Sequence, residues 1–254
     1  CCTREQAVRT LLPGAVRGNR VKAKLRKFCA IADPSRFGTS DNRYPAQLRQ
    51  IGDFVKNMGG SDGVTAVGNT NHKAGQGREL RILDLGCGVG LGTCELAQIA
   101  AAVHGNVIGV TSEHLEVWMA QNRRLPHDAA REQLFRRYPQ TLPVKFTYGF
   151  AESYRDSSQY DVIVCNGLAG GRFLNAAPQL TAFLQTCDTL LAPHGRMFIA
   201  NRFHEGERPG VERLRAIARQ SGWSIEGHWQ SLVLSRGNGG VSPSFDCGNA
   251  VSAP

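Results

Sequence analysis

The sequence contains no long hydrophobic run, and this absence argues against a membrane-spanning helix. A helix that crosses a bilayer needs about 20 consecutive apolar residues, whereas every apolar run here is much shorter. Aromatic residues are also few, at 7% of 254 residues, but a hydrophobic fraction of 41% is ordinary for a folded chain. The composition therefore predicts a globular protein without membrane insertion.

Regular cysteine pairs are missing as well, although the chain contains eight cysteines. No Cys-x-x-Cys spacing occurs, so neither a zinc site nor a disulfide framework is expected, and we predict no bound metal. Several of the cysteines lie within apolar segments, where a reduced thiol packs like a small apolar side chain. Reduced cysteines of this kind indicate a cytoplasmic protein. The start at Cys1, without a signal-peptide pattern, suggests a fragment rather than a processed secretory chain.

Positive charge is concentrated near the N-terminus. The whole chain has a net charge of +9, and residues 1–60 contain 12 Lys and Arg residues against 4 Asp and Glu residues. Such a basic surface attracts acidic partners, which include an acidic protein surface and, with less support, nucleic acid. A solvated basic helix face is an equally open interpretation.

Composition and hydrophobic spacing divide the chain into four parts. Residues 1–58 form a basic helical N-terminal region, with a helix expected over Pro45–Met58, and residues 59–79 form a glycine-rich linker. Strand-like and helix-like segments then alternate over residues 80–236, and residues 237–254 form a flexible tail. Within 80–236 we expect strands over 81–85, 106–111, 144–148 and 195–201, a helix over 91–104, and a further helix in the insertion 126–139. Alternation of this kind predicts an α/β fold with a mainly parallel sheet, and the last two strands follow each other too closely for a parallel crossover.

A glycine-rich turn follows the first predicted strand. Asp84 lies near the end of that strand, and Gly86, Cys87, Gly88 and Gly90 lead from it into a helix. This run resembles the D-x-G-x-G-x-G motif of class I methyltransferases. The resemblance implies a Rossmann-like, seven-stranded sheet with an antiparallel last strand, S-adenosyl-L-methionine as the cofactor, and cofactor contacts at these five residues.

Five further positions fit the same resemblance, which extends over residues 80–236. Thr111 stands at the end of the second strand, where the family places a carboxylate that binds the ribose hydroxyls, and Glu113 is a possible substitute. Ala151 and Glu152 match the family's adenine-contact segment, in which Phe150 replaces the usual Asp. Asn166 follows the fourth strand, at the sheet edge where open α/β folds bind ligands. The cofactor-binding prediction therefore also includes Thr111, Glu113, Ala151, Glu152 and Asn166.

Two segments resemble one branch of this family, the methyltransferases that esterify glutamates on bacterial chemotaxis receptors (CheR-like). Residues 161–168 resemble that branch's F-D-x-I-x-C-R-N-x-x-I segment, and residues 39–44 resemble its T-x-F-F-R-D segment, whose arginine matches Arg43. The resemblance implies that Arg43 lies near the cofactor and that the basic N-terminal region docks on an acidic protein. The glycine turn differs from that branch, because it lacks the loop carboxylates found there.

The methyl acceptor is not fixed by the sequence. A glutamate carboxylate is already ionised at neutral pH and needs no general base, and no Asp-Pro-Pro-Tyr-type motif, catalytic cysteine pair or His-Glu pair is present. Three interpretations stay open: methylation of protein glutamates, methylation of a small molecule or RNA, and a non-catalytic cofactor-binding module.

Overall fold

The structure is a computed structural model that describes residues 44–59, 79–125, 129–171, 173–201 and 208–237. The expected helices before residue 44, most of the linker, the tail and Arg43 lie outside these ranges. In the described ranges no helix is long and apolar enough to cross a membrane.

The described helices and strands form two compact units, residues 1–150 and 151–254. The first unit contains α1 (Pro45–Gly59), β1 (Arg81–Leu85), α2 (Leu91–Ala101), β2 (Asn106–Thr111), α3 (His114–Asn122), α4 (Ala129–Arg136) and β3 (Val144–Tyr148). The second contains β4 (Tyr160–Val164), α5 (Ala177–Leu190), β5 (Leu191–Ala200), α6 (Arg208–Gln220), β6 (Trp223–His228) and β7 (Ser231–Arg236).

The seven strands form one sheet in the order β3-β2-β1-β4-β5-β7-β6. Strand β2 pairs in parallel with both β1 and β3, and β4 pairs in parallel with β5. Strand β7 pairs antiparallel with both β5 and β6, so it is the strand that runs against the others. This arrangement confirms the predicted α/β class with a mainly parallel seven-stranded sheet and an antiparallel last strand.

Burial explains why the central segments form strands. All five residues of β4 are buried, and so are the last four of β1, which is the pattern of parallel strands covered on both faces. In the first unit α1 lies against α2, with Ile51 and Val55 buried on its inner face. The predicted helix over Pro45–Met58 is therefore present, one residue longer.

Helix ends and one strand differ from the expected bounds. Helix α2 ends at Ala101 instead of His104, because His104 adopts a left-handed conformation and the Gly105 N–H donates a hydrogen bond to the Ala100 carbonyl. Strand β5 begins at Leu191, directly after α5, whereas the sequence pattern indicated a start at Gly195. The insertion before β3 forms the short helix α4 as expected.

Candidate functional site

The glycine turn joins β1 to α2 and is attached to the neighbouring strand. The N–H groups of Gly86 and Cys87 both donate to the Val110 carbonyl near the end of β2, each at 2.9 Å, and the Gly90 N–H donates to the Cys87 carbonyl at 3.0 Å. Gly86, Gly88 and Gly90 all have positive φ values, of 82°, 56° and 87°. Side chains disfavour this conformation, so the sequence requires glycine at these positions for the chain to turn this tightly.

Two glycines of the turn have different surroundings. A Cβ atom added to Gly90 would come within 2.4 Å of the Phe146 ring, so Gly90 permits close packing between α2 and β3. A Cβ added to Gly88 would find no atom within 4 Å beyond its chain neighbours. Gly88 therefore borders open space, and a ligand can approach the backbone of the turn there.

Asp84 is buried at the end of β1 and is held by one side chain. The Thr93 hydroxyl, on the first turn of α2, donates to Asp84 Oδ2 at 2.7 Å. Burial raises the pKa of Asp84 to about 6, and the bond from Thr93 opposes that rise. Asp84 was predicted from the sequence, but Thr93 was not, because its only sequence signal is its place in the first turn of the helix after the glycines.

A second carboxylate lies at the end of β2. The Thr111 hydroxyl donates a short hydrogen bond to Glu116 Oε2, so Glu116, on the first turn of α3, occupies the strand end where an acid was expected. Desolvation raises the pKa of Glu116, while the bond from Thr111 lowers it and nearby Glu113 raises it. Glu113 itself is exposed and makes no side-chain capping bond at the start of α3. The structure thus joins Thr111 to a carboxylate that sequence analysis missed.

The Cys87 thiol lies in the field of both carboxylates. Burial, then the charges of Asp84 and Glu116, raise the pKa of Cys87, so the thiol stays protonated at neutral pH. It forms no disulfide, and its Sγ would be 3.1 Å from a Cβ added to Gly109 of β2. Cys87 is therefore a packing residue of the turn rather than a nucleophile.

Three aromatic side chains form a cluster beside this strand end, which we call the aromatic rim: His114, Tyr148 and Phe150. The His114 and Tyr148 rings are stacked, with centroids 3.9 Å apart and an interplanar angle of 9°. The Phe150 ring meets Tyr148 edge to face at 5.8 Å and 77°. Tyr148 and Phe150 are 41% and 47% exposed, which is high for such large side chains.

In the second unit, the predicted residues have mainly structural contacts. Ala151 is buried, and the Glu152 carbonyl accepts a hydrogen bond from the Thr186 hydroxyl at 2.9 Å. Asn166 follows β4 as expected, but its side-chain oxygen accepts the Ala200 N–H at 2.9 Å, which ties this loop to the end of β5. Binding by these three residues stays a prediction.

The buried amide of Asn201 reinforces the loop after β4. Its side-chain oxygen accepts the Gly167 N–H at 3.2 Å, and its Nδ2 donates to the Ala169 carbonyl at 3.3 Å. Sequence analysis did not single out Asn201, because an asparagine after a strand has no distinctive spacing. The loop after β4 is consequently held by two asparagines at the carboxyl ends of β4 and β5.

The first unit thus brings together a bare backbone turn, two carboxylates and a set of exposed rings. A carboxylate beside a threonine hydroxyl suits a vicinal diol, exposed rings suit a planar base, and the open side of Gly88 suits a chain of atoms lying along the backbone. Among the described residues no cluster of His, Cys, Asp or Glu could hold a metal ion. Arg43, the candidate catalytic residue, lies outside the described ranges.

These features are typical of α/β proteins that bind a nucleotide cofactor at the carboxyl ends of parallel strands. The family model "Methyltransferase domain" matches residues 76–231, which is more than half of the chain. The chain belongs to this methyltransferase family, and its cofactor is S-adenosylmethionine.

Several solved structures are similar to the chain at low sequence identity. A TehB-like SAM-dependent methyltransferase from Corynebacterium glutamicum is 19% identical, with 76% of this chain and 99% of that chain covered and a TM-score of 0.43. The PH0226 protein from Pyrococcus horikoshii is 14% identical, with 83% and 98% covered and a TM-score of 0.49. The StiE O-MT segment is 16% identical, with a TM-score of 0.41 and 57% of this chain covered, and this chain spans only 46% of its length. No curated protein matches the chain.

Proposed function

We propose that the first unit holds S-adenosylmethionine along the glycine turn, with Glu116 binding the ribose hydroxyls. The observation that carries this proposal is the Thr111–Glu116 pair at the end of β2. The turn is bonded to Val110, the residue before Thr111, so the pair and the bare backbone at Gly88 belong to one continuous strand edge. A nucleoside lying there would place its sugar at the carboxylate and its amino-acid end along the turn.

Burial of carboxylates supports a positively charged ligand at this edge. Asp84 and Glu116 both have raised pKa values because they are desolvated, and an approaching cation favours their ionised forms. S-adenosylmethionine carries a sulfonium and an ammonium group, and when bound it would supply its methyl group to a nucleophile, with the sulfur leaving as a neutral thioether. The role of the chain's residues is to orient that group and to exclude water, because alignment supplies much of the rate of such a displacement.

For the methyl acceptor, we propose a carboxylate on an acidic protein. A carboxylate is already ionised at neutral pH and can act as the nucleophile directly. The chain therefore has to align this acceptor with the methyl group but needs no general base. The net charge of +8 in residues 1–60 suits an acidic partner surface, and the resemblance of residues 39–44 and 161–168 to the CheR-like branch agrees with it. On this proposal Arg43 lies near the cofactor, and the protein works in the cytoplasm.

The test follows the methyl group. Purified protein is incubated with methyl-labelled S-adenosylmethionine and a cell extract, and the labelled species are isolated. We expect label in an acidic protein, released as methanol by mild alkali, and no label when Gly88→Val protein replaces the wild type. Label that resists alkali, or that resides in RNA or in a small molecule, would overturn the carboxylate acceptor and leave methyl transfer intact.

A further inference from the structure

A buried hydrogen bond joins the two elements on either side of the glycine turn, and the proposed function gives it no role. The Thr93 hydroxyl of α2 donates to Asp84 Oδ2 of β1 at 2.7 Å. Thr93 is fully buried, and Asp84 is only 6% exposed. A hydrogen bond to a carboxylate is about twice as strong as one between neutral groups. Loss of the Thr93 hydroxyl would therefore leave a desolvated carboxylate without this support.

The bond fixes the direction of the Asp84 carboxylate. Asp84 lies in a buried strand and Thr93 in the first turn of a helix, so the backbone holds both ends of the bond. Threonine is branched at Cβ and has few rotamers, and in a helix its hydroxyl often bonds to the carbonyl three or four residues earlier. Here the hydroxyl donates to Asp84 instead. Because Oδ2 is anchored, the rotation of the carboxyl group is set, and Oδ1 keeps a fixed direction.

The groups around Asp84 do not balance its charge. The charge of Asp84 raises the pKa of the Cys87 thiol in the turn, and Glu116 of α3 acts on the same thiol. The thiol is neutral, and Glu116 is bonded to Thr111. Among the residues that the structure describes, no lysine, arginine or histidine forms an ion pair with Asp84. A positively charged ligand group at the turn would therefore gain from this carboxylate.

We infer that Thr93 is a positioning residue of the cofactor site: its hydroxyl holds the Asp84 carboxylate toward the ammonium group at the cofactor's amino-acid end. This inference rests on the proposed function, in which the amino-acid end lies along the glycine turn. Thr93 is buried and acts only through Asp84, without touching the cofactor or the acceptor. Thr93 thereby helps the site to prefer ligands with a charged amino-acid end over neutral nucleosides.

Calorimetric titration of the full chain with two probes tests the inference at pH 8. S-adenosylhomocysteine has the ammonium group, whereas methylthioadenosine has the same adenosine and a thioether but no amino-acid end. Thr93→Val replaces the hydroxyl by a methyl group of nearly equal volume. We expect this variant to bind S-adenosylhomocysteine at least about fivefold more weakly than the wild type, because a charge-assisted contact is lost. The dissociation constant of methylthioadenosine should stay within about twofold of the wild-type value.

Two further readouts separate positioning from a general loss of structure. Thr93→Ser keeps the hydroxyl and should restore the wild-type ratio of the two dissociation constants within about twofold. The bond from Thr93 lowers the pKa of Asp84, so its loss raises that pKa further. The preference for S-adenosylhomocysteine should therefore reach its plateau at a higher pH in Thr93→Val than in the wild type. Glu116 also titrates, but both probes carry the ribose, so its effect cancels in the ratio.

A double-mutant cycle shows whether Thr93 acts through Asp84. In the Asp84→Asn background, Thr93→Val should change the dissociation constant of S-adenosylhomocysteine by less than about twofold, because the charge that Thr93 positions is already gone. Cys94→Ala, at the next buried residue of α2, is the matched control for packing. It should lower the unfolding midpoint and leave the ratio of the two constants unchanged.

Failure of the inference and failure of the proposed function give different results. If the wild type binds neither probe, the proposed function falls and the inference with it. If the wild type binds S-adenosylhomocysteine, and Thr93→Val either binds like the wild type or weakens both probes equally, the cofactor site stands and the positioning role of Thr93 is wrong. Far-UV circular dichroism checks the fold of each variant, and Thr93→Ala replaces Thr93→Val in the same comparison if the latter does not fold.

Discussion

Replacing Glu116 with glutamine is the sharpest test of how the first unit holds its cofactor. The substitution keeps the side-chain shape and an oxygen that can accept the Thr111 hydroxyl, but it removes the negative charge. A hydrogen bond to a charged group contributes about 1.5–3 kcal/mol. Loss of one such contribution to the ribose corresponds to roughly 10- to 150-fold weaker binding.

The stability of the same variant provides an internal check. Desolvation raises the pKa of Glu116, so the folded protein holds this charge at a cost. The amide of Glu116→Gln carries no charge and keeps the bond from Thr111, so we expect an unfolding midpoint equal to or above that of the wild type. Weaker binding would then reflect the lost contact and not a damaged fold.

The assay is calorimetric titration with S-adenosylhomocysteine at pH 8, with Glu113→Gln as the matched control. Glu113 is a neighbouring acid of the same helix start, but its side chain is exposed and makes no capping hydrogen bond to α3. We expect removal of the Glu113 charge to change the dissociation constant by less than about threefold, because exposed charges contribute little. If Glu116→Gln binds like the wild type and Glu113→Gln binds weakly, the ribose carboxylate is Glu113 and the reasoning is refuted.

Three further outcomes follow from the first unit. Gly90→Ala should lower the unfolding midpoint more than Gly88→Ala in thermal denaturation, because only the former drives a Cβ into Phe146, and equal losses would contradict this. Burial raises the pKa of Asp84 from 3.8 to about 6. The neutral carboxyl group therefore favours the folded state fully below about pH 4, and this part of the free energy of unfolding is lost as the pH rises through 6. Asp84→Asn should remove this part of the pH dependence in denaturant titrations. Glu132 is buried, accepts the Leu125 N–H at 2.8 Å and pairs with Arg124 and Arg136. Glu132→Ala should therefore lower the free energy of unfolding in urea by about 3 kcal/mol. The control, Gln133→Ala at an exposed position, should leave it almost unchanged.

The strands of the first unit were predictable because their signals are local. The bounds of β1, β2 and β3 match the sequence-based expectation residue for residue, since each is a short apolar run between turn residues. The glycine turn was predictable for the same reason. Helix ends were less so, because the stop at Ala101 depends on a left-handed residue and a hydrogen bond that have no strong sequence signature.

The acid proposed to bind the ribose, Glu116, could not be found from sequence spacing. The resemblance placed the expected carboxylate at Thr111, the last residue of β2, or at Glu113 two residues later. In the structure α3 begins at His114, and its first turn carries Glu116 back to the Thr111 hydroxyl. The distance between these side chains depends on the angle at which the helix leaves the strand, which is a tertiary property. Spacing alone could not supply it.

The two carboxylates of the first unit also connect the fold to turnover. Both are desolvated by burial, which raises their pKa values, and a cation close to them would stabilise their ionised forms. On the proposed function, the cofactor has two positive charges, one on the sulfonium and one on the ammonium group. Methyl transfer turns the sulfonium into a neutral thioether, so the ammonium group is the one positive charge left on the product. The same burial that raises the pKa of Asp84 therefore gives the charged cofactor an electrostatic advantage over its product. On this proposal the site binds the cofactor more tightly than the product, so fresh cofactor replaces the product after methyl transfer.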